Sequence, residues 1–342
     1  MTPTLRPWVS SPEESEGEGP HRRSLPSFWA GRKVTVTGGT GFLGTAVCRQ
    51  LTALGAEVRA LGSADFDLTR PEESTAAIRG ASIVIHLAAN VGGIGYNQQN
   101  PGPLVRDNAL MALNVFESCR TGSVDRLVAV CSVCAYPGEA PAPFRESGLF
   151  DGHPEGTNAP YGIAKRMLVT LSDSYRRQWG FDSVVPIVAN LYGPGDDFDL
   201  ENSHVIPAMV RRFVEAFERG DREVVLWGSG KPSREFLHVD DAARALILGA
   251  EREDLADPFN VGTGVETRIS DLAQLIAGLA GFQGEITWDP KRPDGQMTRF
   301  LDVERAREMI GFEARVGLRE GVAGTIDWFR ANASPPDPRR SS

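Results

Sequence analysis

The sequence predicts an α/β protein, a doubly wound parallel sheet with a smaller α/β lobe towards its C-terminal end. Three observations predict it. Short, nearly continuous apolar runs alternate with amphipathic stretches of helical period through the first half of the chain. Strands without polar alternation belong to parallel sheets covered on both faces. A glycine-rich loop, "VTGGTGFLG", falls between the first such strand and the first helix, and after Gly193 the strand–helix rhythm changes. A chain of 342 residues is long enough for one extended domain or two.

Taken in order, residues 1–27 are rich in Pro, Ser, Glu and Gly and lack periodic apolar positions, which reads as a disordered arm. "KVTVTGG" is a buried strand, and "GFLGTAVCRQLTALG" is an amphipathic helix closing at Gly55. "EVRAL", "SIVIHLAA" and "RLVAVCSV" are further strands, with a short helix "STAAIRGA" and a helix from about Val105 to Cys119 between them. The helix "APYGIAKRMLVTLSDSYRRQWG" and the strand "SVVPIVANLYG" complete this half. Beyond Gly193 come the helix "HVIPAMVRRFVEAFERG", the strand "EVVLWGSG" and the helix "DDAARALILGAE", capped by Asp240. "REFLHV" returns to the first sheet. "SDLAQLIAGLAG" and "LREGVAGTIDWFRAN" are helices, and residues 332–342 read as a disordered tail.

Composition narrows the class. With 36 Lys+Arg against 45 Asp+Glu, the net charge of -9 disfavours nucleic acid or an anionic membrane as the main partner. Four cysteines in a chain this long make no disulfide framework. No apolar run reaches transmembrane length, and the N-terminus lacks the layout of a signal peptide, so the expected location is cytoplasmic.

Gly38, Gly41 and Gly44 follow the first strand and open the first helix, the order in which small residues let backbone approach a pyrophosphate at a helix N-terminus. Asp67 and Leu68, in "ADFDLT", are placed to bracket an adenine; a simple helix cap by Asp67 or Thr69 is the plainer reading. Tyr161 and Lys165 stand four apart in "YGIAK" and so share a helix face. An ammonium beside a phenol lowers its pKa and lets it exchange a proton near neutral pH. Ser132 ends the preceding strand, where it can bond a substrate carbonyl. Cys131 and Cys134 make a C-x-x-C spacing, but no second ligand pair exists, so no metal site is expected.

These residues, with "HLAANVGGI", "SVCAYP", "YGIAKRM", "NLYGPGDDFD", "NSHVIPAMVRRF", "WGSGKPSREFLHVDD", "NVGTGV" and "RPDGQ", carry a resemblance over residues 31–331. The chain resembles the extended short-chain dehydrogenase/reductases (the NAD-dependent epimerase/dehydratase family) and, among them, the GDP-L-fucose synthases. The resemblance implies an NAD(P)-binding Rossmann domain over 28–193, with a return segment near 234–262, and a mainly substrate-binding lobe over 194–331. It implies that Ser132, Tyr161 and Lys165 serve hydride transfer. Cys134 and His204 would be the base and acid that invert carbons flanking a C4 ketone, leaving Cys131 as core. It adds Thr40, Phe42, Leu43, Ser63, Leu87, Ala88, Ala89, Asn108, Asn190, Leu191 and His204 to Gly38, Gly41, Gly44, Asp67, Leu68, Tyr161 and Lys165 as the cofactor site. It places a GDP-sugar against Asn190, Val205, Met209, Arg212, Trp227, Arg234 and Asp294, with Arg299 a weaker candidate. It also implies a homodimer in which the helices near 105–119 and 160–178 form a four-helix bundle; the second keeps apolar Met167, Leu168 and Leu171 beyond its catalytic face.

The cofactor is less sharply implied. Family members that use NADP carry basic residues near the 2′-phosphate, where this chain has Thr40 and "LGSAD". Ser63 offers a hydroxyl and Arg59 a guanidinium, and neither compels the assignment. No acidic residue closes the second strand in the usual NAD manner. Family likeness favours NADP(H), with NAD(H) the alternative. The implied reaction is the 3,5-epimerisation and 4-reduction of GDP-4-keto-6-deoxymannose. The alternatives are a redox-neutral GDP-sugar 3,5-epimerase holding NAD, a single-activity enzyme on another GDP-sugar, or, remotely, a non-catalytic dinucleotide sensor.

Overall fold

A computed structural model describes residues 25–332, apart from 201, 202, 253, 292 and 293. The expected N-terminal arm up to residue 24 and the tail from residue 333 lie outside the described residues. The end of that arm is not loose: Pro26–Trp29 is a helical turn, and the fully buried Trp29 donates its indole N–H to Glu251 Oε1 at 2.7 Å.

Five parallel strands form the main sheet, in the order Glu57–Leu61, Lys33–Thr37, Ile83–His86, Arg126–Ala129, Ser183–Val184. The apolar runs "RLVAVCSV" and "SVVPIVANLYG" are broken strands. Cys131–Ser132 pairs with Pro186–Val188, which pairs with the returning Phe259–Val261, all parallel. The other expected return is also present, with Phe236–His238 parallel to Asn190–Tyr192. The helices Phe42–Ala53, Pro101–Thr121, Ala159–Trp179 and Val239–Ala250 cover the sheet. The second of these starts earlier than the expected Val105, at Pro101, because a proline suits the first helical turn. The cap of Val239–Ala250 is His238, whose Nδ1 accepts from the Asp240 N–H; Asp240 lies inside the first turn instead of capping it.

Two apolar clusters result. One fills the space around the sheet; the other packs Val205–Arg219, Ile269–Ala280 and Leu318–Asn332 over the strands Glu223–Trp227 and Glu285–Asp289. A small three-stranded unit, with Ser233–Arg234 between Thr267–Arg268 and Thr298–Arg299, puts Arg234 and Arg299 side by side in register. No described helix is long and apolar enough to cross a membrane.

Candidate active site

A cavity of about 1150 Å³ runs along the C-terminal ends of the parallel strands and on to the second cluster. That is where α/β sheets hold ligands, because the strands end there and the loops diverge. Every candidate from the sequence lines it except Asn108. Asn108 is buried, and it bonds the backbone N–H and C=O of Asn90 at 3.0 and 2.8 Å. It holds the Asn90 loop, which itself lines the cavity.

The glycine loop fits a dinucleotide. Gly38 has φ +69°, and a Cβ on it would lie 2.8 Å from the Ala88 nitrogen. A Cβ on Gly44 would fall 2.0 Å from the Gly38 carbonyl oxygen, so neither position admits a side chain. The helix Phe42–Ala53 has no side-chain cap and no acid in its first turn, which leaves its N-terminus suited to an anion. Thr40, Ser63, Asp67 and Leu68 line the same end. Asp67 Oδ1 accepts from the Thr69 N–H and hydroxyl at 3.0 and 2.6 Å and makes a loop turn; the helix that follows has Arg70 at its cap, so neither Asp67 nor Thr69 caps it. Arg59 is not available to a 2′-phosphate. Its guanidinium bonds Thr35 Oγ1 at 3.1 Å and the Ala77 and Arg79 carbonyls.

The central side chains come from two elements. Ser132 ends its strand and accepts the Cys134 N–H on Oγ at 3.3 Å, which starts a one-turn 3₁₀ helix and brings Cys134 to the cavity. Tyr161 and Lys165 come from Ala159–Trp179. The Tyr161 phenol hydrogen-bonds with Ser132, yet burial first, then Cys134 and Cys131, hold it well above its ordinary pKa. The expected lowering by Lys165 is therefore not found. Lys165 donates to the Val130 carbonyl at 3.0 Å, its Nζ lies 5.7 Å from the Tyr161 ring centroid, and burial brings its own pKa down to about 8. A phenol so placed stays protonated at neutral pH, as a proton donor must. Cys131 is 1% exposed and directs Sγ to the Lys165 carbonyl at 3.4 Å; burial pushes its thiol up to about 12.

His204 enters from the other lobe, at the cap of Val205–Arg219. Its Nδ1 lies 3.9 Å from Oδ1 of the buried Asp196, which raises the imidazole above its ordinary 6.5 against the opposing effect of burial. The side chain is 55% exposed, and as a cavity-lining residue it is exposed to the cavity. Asp196 was not singled out from the sequence. Its signal was the "GDD" inside a segment read for its family resemblance, and no spacing rule links that loop to a histidine eight residues on.

At the far end, the Arg212 guanidinium carbon stands 6.0 Å from the Trp227 ring centroid. Arg234 donates to the Ser233 carbonyl at 2.7 Å, and its pKa is brought down to about 9 by burial and by Arg299. Asn190 donates to the Glu235 carbonyl at 2.9 Å. Asp294 turns both carboxylate oxygens to Ser229, accepting from its N–H and hydroxyl at 2.7 Å each, so it shapes the loop beside Trp227. Glu235, also unmarked by the sequence reading, is 1% exposed and accepts from the N–H groups of Thr263, Gly264 and Leu301. Arg299 does what no motif foretold: its Nη1 donates to Cys134 Sγ at 3.3 Å.

Residues 34–262 match the model of the NAD dependent epimerase/dehydratase family. The chain belongs to that family. A probable GDP-L-fucose synthase 1 of Oryza sativa subsp. japonica, a relative of this family member, is 40% identical over 306 residues, covering 88% of this chain and 93% of the relative. The GDP-L-fucose synthase of Escherichia coli strain K12 is 39% identical over 316 residues, covering 88% and 97%. Among solved structures, a GDP-L-fucose synthetase from Naegleria fowleri bound to NADP superposes with a TM-score of 0.79 at 30% identity, covering 88% of this chain and 93% of that one.

Proposed function

We propose that this protein is a GDP-4-keto-6-deoxymannose 3,5-epimerase/4-reductase that uses NADP(H). One observation carries the reading: Ser132, Cys134, Tyr161, Lys165 and His204 line one cavity, with the glycine loop at one end and Arg212, Trp227 and Arg234 at the other. Relatives named GDP-L-fucose synthase along most of the chain support it, and the Naegleria fowleri structure bound to NADP supports the cofactor. A cytoplasmic location and a homodimer belong to the same proposal.

The chemistry follows from the side chains. Protons beside a ketone are acidic, and hydroxyls at the ketone oxygen stabilise the enolate that forms. Ser132 and Tyr161 supply those hydroxyls. Cys134 takes the proton from one face, and His204, whose protonated form Asp196 favours, returns one to the other. Two groups from opposite lobes invert a centre; one group alone would restore it. When bound, the dinucleotide supplies hydride to C4. Tyr161 gives its phenolic proton to the C4 oxygen, and Lys165 holds the strand end at Val130 beside it. Arg212 and Arg234 suit the diphosphate, since a guanidinium fork matches phosphate oxygens.

The test is NMR of the 4-keto substrate in D2O with NADPH. The wild type is expected to exchange the C3 and C5 protons and to yield a reduced, inverted sugar. Cys134→Ser should stop the exchange while reduction persists, because a hydroxyl is a far weaker base than a thiolate. Tyr161→Phe should slow reduction by about 10²–10⁴-fold with cofactor binding nearly intact. Wild-type exchange in Cys134→Ser would remove the cysteine from its role. Exchange without reduction in the wild type would favour the redox-neutral epimerase.

A further inference from the structure

We infer that Arg299 is the positioning residue of Cys134, holding its sulfur as the thiolate that takes the ring proton. This rests on the proposed function for its reaction and on geometry for the pair. Arg299 Nη1 donates to Cys134 Sγ at 3.3 Å across 165 residues of chain. Among the described residues, Arg299 Nε is buried without an acceptor. A cation held in a buried setting favours the charged form of what it bonds, and a thiolate accepts such a bond where a thiol accepts it only weakly.

The surroundings agree. Cys131 faces Cys134 from its own segment, Tyr161 from the helix Ala159–Trp179, and Arg234 and Arg299 from the paired strands of the other lobe. Arg234 in turn feels Glu155 and Asp294. Burial keeps Cys131 a neutral thiol and Tyr161 a neutral phenol. Of these groups, the two arginines carry charge at neutral pH. The register Arg234↔Arg299 puts two guanidinium groups on neighbouring strands at the same level. Two adjacent cations repel, and their division between two anions, the thiolate and a substrate diphosphate, relieves that. Arg299 is directed at the sulfur, which leaves Arg234 and Arg212 for phosphate.

The step balances. The thiolate pair takes the ring proton: an S–H bond forms, the C–H bond breaks, and the released pair moves to the ketone oxygen. The His204 imidazolium then gives its proton to the carbon from the opposite face. Cys134 ends as thiol and His204 as neutral imidazole, and both recover by exchange with solvent. Arg299 stays protonated throughout.

The experiment compares the wild type with Arg299→Gln and Arg299→Lys. Iodoacetamide alkylation is followed against pH by mass spectrometry of the Cys134 peptide, which separates it from the partly exposed Cys48. The Gln variant should move the inflection of the rate to higher pH, and Lys should restore most of it. A move of one pH unit cuts the thiolate fraction about tenfold well below the inflection. Exchange of the substrate C3 and C5 protons should slow in kcat with little change in KM, and recover as pH rises. An unmoved inflection in both variants, or a raised KM for the GDP-sugar with the inflection unmoved, overturns the pairing. If the inflection moves but the wild type exchanges no substrate protons, the pairing stands and the proposed function falls.

Discussion

A single carboxylate sets the alkaline limb of the proposed inversion. Asp196 stands beside His204 and raises its pKa above 6.5. A group raised in this way is protonated, and favours the fold, below its unfolded pKa; that contribution is lost as pH rises through the folded pKa. The acid that returns the proton fails in the same direction, so inversion should fall on the alkaline side. Asp196→Asn removes the partner charge and should move that fall to lower pH, slowing inversion at neutral pH while proton removal at Cys134 continues. The rate of inversion against pH, by NMR, checks it; an alkaline limb that does not move would take Asp196 out of the mechanism. At this scale, Tyr161, Lys165 and Ser132 were legible because helix period and strand ends fix where such residues point. The Asp196–His204 and Arg299–Cys134 partnerships were not. Each joins segments through a loop geometry or a sheet register that no local spacing encodes.

Among the elements, what the apolar pattern reveals is a strand's presence and not its breaks. Val130, Val185 and Ala189 interrupt strands that read as continuous, and Cys131–Ser132 pairs with Pro186–Val188 in a separate ladder that presents Ser132 to the cavity. The short strands of the smaller unit were missed. Two residues give no period, and the buried Glu235 beside them ties the Thr263–Gly264 turn to Leu301. Glu235 Oε1 takes the Thr263 and Gly264 N–H groups, and Oε2 takes that of Leu301, two residues from Arg299. Glu235→Gln replaces one acceptor oxygen with an amide nitrogen that faces an N–H. The expected loss is about 1–3 kcal/mol, the cost of a buried donor left unsatisfied. Urea denaturation should show it as a lower midpoint at unchanged slope. A midpoint equal to wild type would mean that the loop and strand are held by packing alone.

Over the whole molecule, the two long helices Pro101–Thr121 and Ala159–Trp179 pack on each other and still leave apolar residues outward. Val105, Leu110 and Leu113 of the first are 37, 37 and 43% exposed, and Ile163 of the second is 39% exposed. The sequence had pointed to Met167, Leu168 and Leu171 for such a face, but Leu168 is 1% exposed and the other two pack on the core of their own chain. Helical period alone cannot say which of two apolar stripes meets the sheet. Each helix has 21 residues, a length of about 30 Å at 1.5 Å per residue. Two such helices abreast offer roughly 600 Å², close to the ~800 Å² per partner of a stable interface. Joining two copies through this face makes a four-helix bundle and covers these side chains, and this is the homodimer the proposal expects. The wild type should sediment as a dimer at micromolar concentration. Leu113→Glu with Ile163→Glu should give a folded monomer, because both positions are exposed in the single chain and buried charge would be forced only on the dimer. A wild type that sediments as a monomer, or a double variant that stays dimeric, would move the interface elsewhere.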